Sequence, residues 1–250
     1  MKQNYKSLLI VISLACVLVA GCGQASEVVR VATDATWPPF EMVDDETKEL
    51  VGLDIDLMKA IAQRAGLQIE FINVSFDPLL AGMAQCQYDA AISAITITPD
   101  RAAGFAFSDP YFAAGQIVVA QAGDTDVTGI DALGGKIVGV QMDTTGDIEA
   151  QKIEGATIRR YDDIGLAFQD LMNGQLEAVI VDNPMALEKV GQYPEQLKTA
   201  GDVFTDENYG IAVCKTNTEL VAKINSALAE LIAEGYIEGL TQIWIIGSEY

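Results

Sequence analysis

At 250 residues, half of them hydrophobic, the chain can build one large domain or two modest ones, each around its own core. Its 36 acidic residues against 15 basic ones give a formal charge of -21, which repels nucleic-acid phosphates and anionic lipid surfaces and excludes nucleic acid as an expected partner. With no histidine, the usual general base, the Ser/His/Asp and Cys/His nucleophilic arrangements and the commonest metal ligand are missing, so no catalytic residue, metal site or other cofactor is expected.

In chain order, Lys2 and Lys6 precede an apolar stretch from Leu8 to Ala20. That stretch is short of the roughly 20 residues a spanning helix needs but suits the core of a secretory signal, expected over residues 1–21. It ends in "LVAGC", similar to a bacterial lipobox, in which cleavage leaves Cys22 as a lipid-bearing N-terminus. Removing residues 1–21 loses Lys2 and Lys6 and no acid, taking the formal charge from -21 to -23. Residues 22–27 then read as a tether, and no later run has 18 uninterrupted apolar residues, so membrane attachment is expected through the lipid only. Cys86 and Cys214 remain in a compartment where a disulfide can persist, and at this point their pairing stays open.

The segment "VVRVAT" (28–33) reads as a strand and "DIDLMKAIAQRAG" as a helix capped by Asp54, buried along Leu57, Ile61 and Ala65, and stopped by Gly66. Next, "LQIEFI" alternates as a half-buried strand, Pro78 opens a short helix, and "DAAISAI" is continuously apolar, as in a parallel sheet buried on both faces. The βαβαβ order recurs in "KIVGVQ" (136–141), a helix from about Gly146, "TIRRY", "IGLAFQDLMNG" and "EAVIVD" (177–182). Just before it, "GIDALGGKI" fails as a phosphate loop: five residues separate Gly129 from Gly135 and Lys136, and Ile137 replaces the required Ser or Thr. A last helix, with Leu220, Ile224, Ala227, Leu228 and Leu231 at helical spacing, returns to cover the first lobe. The expected lobes are 28–112 with 208–250, and 113–207, crossed near 112–117 and 205–209 to leave a cleft.

Ligands of open α/β sheets sit beyond the carboxyl ends of strands. Those ends carry Asp34, residues 94–98, residues 141–145 and Asp182: one cation nearby, several donors and two carboxylates, a set suited to a small zwitterion. Arg101 can present its planar fork to a carboxylate while Thr96 donates from hydroxyl or backbone, and Asp182 can accept an ammonium. Trp37 and Phe76 are candidate aromatic walls.

The motifs "VATDATWPPFE", "GLDIDLMKAIA", "AITITPDR", "FSDPYF", "VGVQMDTTGD", "AVIVDNP" and "YGIAV", in this order, resemble the extracellular solute-binding proteins of polar amino-acid ABC transporters. The resemblance spans residues 28–246 and implies the two-lobed α/β type II periplasmic-binding-protein fold, with mostly parallel sheets flanked by helices and joined by a two-strand hinge. It implies that Arg101 and the Thr96 backbone hold an α-carboxylate, helped by Thr144 and Thr145, and that the Ala94 carbonyl and Asp182 hold the α-ammonium. Trp37 and Phe76 would flank the ligand side chain, with Asp34 and Gln141 at its far end. Asp34 favours a side chain that donates or is cationic, so arginine comes first, then lysine, histidine and glutamine, while glutamate is repelled.

The same resemblance implies a monomer that closes around the amino acid and delivers it to permease and ATPase subunits, without being an enzyme. Cyclohexadienyl-dehydratase-like enzymes of the superfamily carry a carboxylate where this chain has Met185, and a sensor would need a following signalling segment that is missing after Tyr250. Three departures stand out: Ala94 for a common glycine, Asp143 for a glycine or small residue, and "AVCKTN" for "AFPKGN". In the implied fold the last of these brings Cys214 beside the strand near Cys86, a candidate disulfide.

Overall fold

A computed structural model describes residues 28–247. The expected signal over 1–21, the tether over 22–27 and Cys22 lie outside these residues, as do 248–250. The chain begins with strand β1 (Val29–Thr33), the short strands β2 (Thr36–Trp37), β3 (Glu41–Val43) and β4 (Leu50–Val51), helix α1 (Leu53–Ala65) and strand β5 (Ile69–Asn73). Helix α2 (Phe76–Ala84), β6 (Ala90–Ala91), α3 (Pro99–Gly104) and β7 (Ala106–Phe107) follow. Next come β8 (Phe112–Ala114), β9 (Gln116–Gln121), β10 (Ile137–Gln141), α4 (Thr145–Ala150), β11 (Thr157–Tyr161), α5 (Ile164–Met172), β12 (Ala178–Asp182), α6 (Asn183–Gln192) and β13 (Leu197–Ala200). Strands β14 (Glu207–Tyr209) and β15 (Ala212–Val213), helices α7 (Thr218–Ala233) and α8 (Tyr236–Thr241), and a π-helical turn over Gln242–Ile246 complete the described chain.

These elements make two lobes, each a mostly parallel sheet with one antiparallel contribution. One sheet runs β5-β1-β6-β15-β7 and the other β11-β10-β12-β9-β13. In the first, β1 pairs parallel with β5 and β6, and β15 returns antiparallel to β6; in the second, β10 pairs parallel with β11 and β12, and β9 lies antiparallel to β12. The sequence shows why β12 is central: "AVIVD" is buried at all five positions, as a strand covered on both faces must be. Between the sheets, β8 and β14 pair antiparallel as a two-stranded ribbon, Phe112 opposite Tyr209 and Ala114 opposite Glu207. Gly115 follows the ribbon because a Cβ there would meet the Thr205 carbonyl oxygen at 2.3 Å.

Helix α7 buries the expected stripe Leu220, Ile224, Ala227, Leu228 and Leu231 and packs against α1, joining the last part of the chain to the first sheet. Each such leucine or isoleucine contributes about 1.5–3 kcal/mol on burial. Cys86, after α2, and Cys214, after β15, are joined by a disulfide with Cα atoms 4.9 Å apart.

Several local expectations need correction. Asp54 does not cap α1: Gly52 holds the cap position, with φ +131° and no room for a Cβ, which would lie 2.1 Å from the Phe40 carbonyl oxygen. Asp54 instead turns inward, fully buried, and Ala65 is only half-buried. Helix α2 starts at Phe76, with Pro78 inside its first turn, where a missing N–H goes unused anyway. The strand in "DAAISAI" is short because Ala94 takes φ +45° and breaks the extended run.

Candidate functional site

The carboxyl ends of β1, β6, β10 and β12 converge on a cavity between the sheets. Asp34, Trp37, Phe76, Ala94, Thr96, Arg101, Gln141, Thr144, Thr145 and Asp182 all line it, together with Glu41 and Ser93, which sequence reading did not single out. A signal for Glu41 was present: the "TWPPFEM" hairpin pairs Trp37 with Glu41 across β2 and β3, so the two share a face.

Arg101 is set by its own turn. Thr98 accepts the Arg101 N–H through Oγ1 at 3.2 Å and Pro99 starts α3, fixing where the guanidinium leaves the helix. Its Nη1 donates to the Thr96 carbonyl at 2.9 Å and its Nη2 crosses the cleft to the Asp143 carbonyl at 3.0 Å, while the group lies 5.3 Å from the Phe76 ring centre. Asp143 supplies that carbonyl from a left-handed turn, φ +59°. A guanidinium has five N–H donors, so donors remain for a carboxylate in the cavity. Burial lowers the Arg101 pKa to about 10, and it stays charged at neutral pH.

Asp182 ends β12. Its side chain does not cap α6; it accepts the Tyr209 hydroxyl at 2.8 Å. Burial, then the Glu207 charge, raises its pKa to about 7. Beside it, Glu207 Oε2 accepts from Thr96 Oγ1 at 2.7 Å and Thr145 Oγ1 at 2.8 Å. Thr144 caps α4, accepting the Asp147 N–H at 3.2 Å, and donates its hydroxyl to the Gln141 carbonyl at 2.8 Å.

A second polar cluster has different chemistry. Asp34 accepts from Thr36 Oγ1, the Phe76 N–H and Gln141 Nε2, the last at 2.8 Å from across the cleft, and burial raises its pKa. Ser93 donates to Glu41 Oε1 at 2.8 Å and accepts the Asp34 N–H at 2.9 Å. Behind them Asp54 Oδ2 accepts from the Ala94 N–H and the Tyr111 hydroxyl, each at 2.8 Å. Glu41 and Asp54 hydrogen-bond each other, which requires one shared proton: burial first, then Asp54, raises the Glu41 pKa well above the usual range, and burial raises Asp54 to about 6. Of the polar groups lining the cavity, Trp37 Nε1 and Gln141 Oε1 are buried without a hydrogen-bonding donor or acceptor opposite them among the described residues. Buried polar atoms are normally paired, so these are places for a bound molecule to complete. Among the described residues there is no group of three or more His, Cys, Asp or Glu arranged to hold a metal ion.

Two α/β lobes joined by a two-stranded ribbon, with a polar cavity between them, define a type II periplasmic binding protein. The chain belongs to the bacterial extracellular solute-binding proteins, family 3, whose model matches residues 29–247. It is 36% identical over 227 residues to ABC transporter arginine-binding protein 1 of Escherichia coli K12, covering 88% of this chain and 91% of that one. Among solved structures, an ancestral arginine-binding protein bound to arginine is 40% identical, with TM-score 0.83 over 87% of this chain and 97% of that one. The arginine-, lysine-, histidine-binding protein ArtJ of Geobacillus stearothermophilus is 37% identical, with TM-score 0.81 and coverages of 87% and 95%. These relatives are binding proteins, and no helix among the described residues is long and apolar enough to cross a membrane.

Proposed function

We propose that this protein binds L-arginine in preference to other polar amino acids and hands it to the permease and ATPase of an importer, without chemical change. The carrying observation is the charge of the cavity. Arg101 is its one lining cation, against Asp34, Asp182 and a Glu41–Asp54 pair that shares one proton. A zwitterion with a cationic side chain offsets this excess, whereas glutamate adds to it; a buried charge costs several kcal/mol unless paired.

In this reading Arg101 and the Thr96 backbone hold the α-carboxylate, with the backbone of Thr144 and Thr145 helping from the second lobe, while Asp182 and the Ala94 carbonyl hold the ammonium. Trp37 and Phe76 flank the methylene stem, and Asp34, Glu41 and Gln141 receive the guanidinium. Residues 28–112 with 208–247 form the first lobe and 113–207 the second, closing about the ribbon of β8 and β14. The leader ends at residue 21, Cys22 carries lipid, 22–27 is the tether, and the chain works as an extracytoplasmic monomer. Cell fractionation of Cys22→Ser tests the anchor, which is lost if the lipobox reading is right.

Calorimetric titration of the chain lacking residues 1–22, unfolded and refolded to remove carried ligand, tests the rest. Arginine is expected to bind between micromolar and nanomolar, about 8–12 kcal/mol, lysine and histidine more weakly, and glutamate not at all. Heat from glutamate equal to that from arginine overturns the assignment.

A further inference from the structure

Strand β14 alternates buried, exposed, buried along Glu207, Asn208 and Tyr209, so Glu207 and Tyr209 face the same side. Tyr209 holds Asp182. Glu207, 7% exposed, is held by hydroxyls: Thr96 and Thr145 donate to Oε2, and Thr205 donates to Oε1 at 2.8 Å. Thr96 follows β6 in one sheet, and Thr145 begins α4 beyond β10 of the other. One carboxylate on the connecting ribbon therefore bonds both sides of the cleft at once.

A hydroxyl has a single proton. Thr96 and Thr145 have committed theirs to Glu207, and Thr145 Oγ1 is further fixed by accepting from Gln116 Nε2 at 3.1 Å. Toward the cavity these hydroxyls offer lone pairs, which suit an ammonium and not a carboxylate. An α-carboxylate must then be met by Arg101 and backbone N–H groups.

We propose that Glu207 is a positioning residue for the bound solute, a clasp that orients the Thr96 and Thr145 hydroxyls and holds the two lobes together only when the cleft is closed. It rests on the amino-acid reading above and adds a residue that touches no ligand. Because the clasp forms after the ligand has docked, it acts on release rather than on encounter.

Stopped-flow mixing of the refolded chain with L-arginine, followed by the fluorescence of Trp37 in the cavity wall, measures both rates. Glu207→Ala is expected to raise koff about 10- to 100-fold, as befits lost hydrogen bonds to a charged acceptor, with kon changed less than about threefold. Glu207→Gln keeps one acceptor oxygen in the same place and is expected to restore koff to within about tenfold of wild type. Thr145→Val alone also raises koff, and adding it to either Glu207 variant adds less than it does to wild type, because both break one bond. Should Glu207→Ala not fold, the cycle of Glu207→Gln with Thr145→Val decides the matter.

Fully multiplicative effects would mean that the Thr145 hydroxyl contacts the ligand directly, and they overturn the clasp, as does an unchanged koff. A wild-type chain that binds no amino acid in the titration sinks the underlying reading instead, so the two failures are separable.

Discussion

The two ends of the cavity solve different problems. Around Arg101 lie Thr96, Thr145, Glu207, Asp182 and Tyr209, a closed set of charge-assisted bonds in which nearly every group already has its partner. Around Asp34 lie Glu41, Asp54, Ser93 and Gln141, where two carboxyls share a proton and Gln141 Oε1 is unmatched. The first end is set for groups common to every α-amino acid. The second carries unmet acceptor capacity and negative charge, and it is there that one side chain is told from another. A site built to hydrogen-bond a group discriminates strongly against ligands lacking it, because its own buried groups are then left unpaired.

The sharpest way to break this division is to delete each end in turn. Arg101→Ala leaves Asp182 and Glu207 without their nearby cation and removes the carboxylate's counter-charge. Truncating one partner of a buried charge pair costs about 2–5 kcal/mol, so binding of arginine, lysine and glutamine alike should fall about 30- to several-thousand-fold by calorimetry. Retained tight binding of any of them would move the carboxylate elsewhere. Glu41→Gln should instead act selectively: arginine affinity falls about 10- to 100-fold while glutamine changes less than about threefold. Equal losses for both ligands would erase the distinction between the two ends.

How far each end was legible in the sequence follows from the same contrast. Strand ends can be located from apolar periodicity, and that brought Asp34, Arg101, Gln141 and Asp182 to one place before any geometry was known. What periodicity cannot report is which polar residue turns inward. Asp54 stands where a helix cap belongs, yet Gly52 takes that role because only a residue without Cβ clears the Phe40 carbonyl, and Asp54 is free to pair with Glu41. Likewise the Thr96 hydroxyl proton looked available for a ligand until Glu207, 111 residues away in sequence, was found to accept it. Such contacts are fixed by the meeting of the two sheets and leave no local trace.

The two ends also differ in pH response. Burial holds Asp182 near 7, so between about pH 4, the ordinary aspartate value, and pH 7 the folded state keeps a proton that the unfolded chain has lost. Ligand-free stability therefore falls as pH rises through that window and levels off above it; Asp54, near 6, acts in the same direction over its lower part. Ammonium binding needs ionised Asp182, so affinity for every amino acid should fall about tenfold per pH unit below 7, with arginine falling more steeply below 6 as the Glu41–Asp54 pair takes up its second proton. Titrations of arginine and glutamine from pH 5 to 8 check this, and a flat glutamine profile would remove Asp182 from the ammonium site.

The smallest effect tests what joins the ends. Ala94 sits between Ser93 of the acidic cluster and Thr96 of the other, in a left-handed conformation, φ +45°, that costs an L-residue with a Cβ roughly 1–2 kcal/mol. The strain persists because the Ala94 N–H is drawn onto Asp54 at 2.8 Å, turning the chain from one cluster toward the other. Glycine adopts this geometry freely but gives back roughly 0.5–1 kcal/mol in unfolded-state entropy, so Ala94→Gly should stabilise the ligand-free protein by up to about 1 kcal/mol. Since the N–H and carbonyl stay in place, arginine affinity should hold within about threefold. Urea unfolding with an unchanged slope and a higher midpoint would bear this out. A lower midpoint would mean that the Ala94 methyl, packed against buried neighbours, matters more than the backbone it strains.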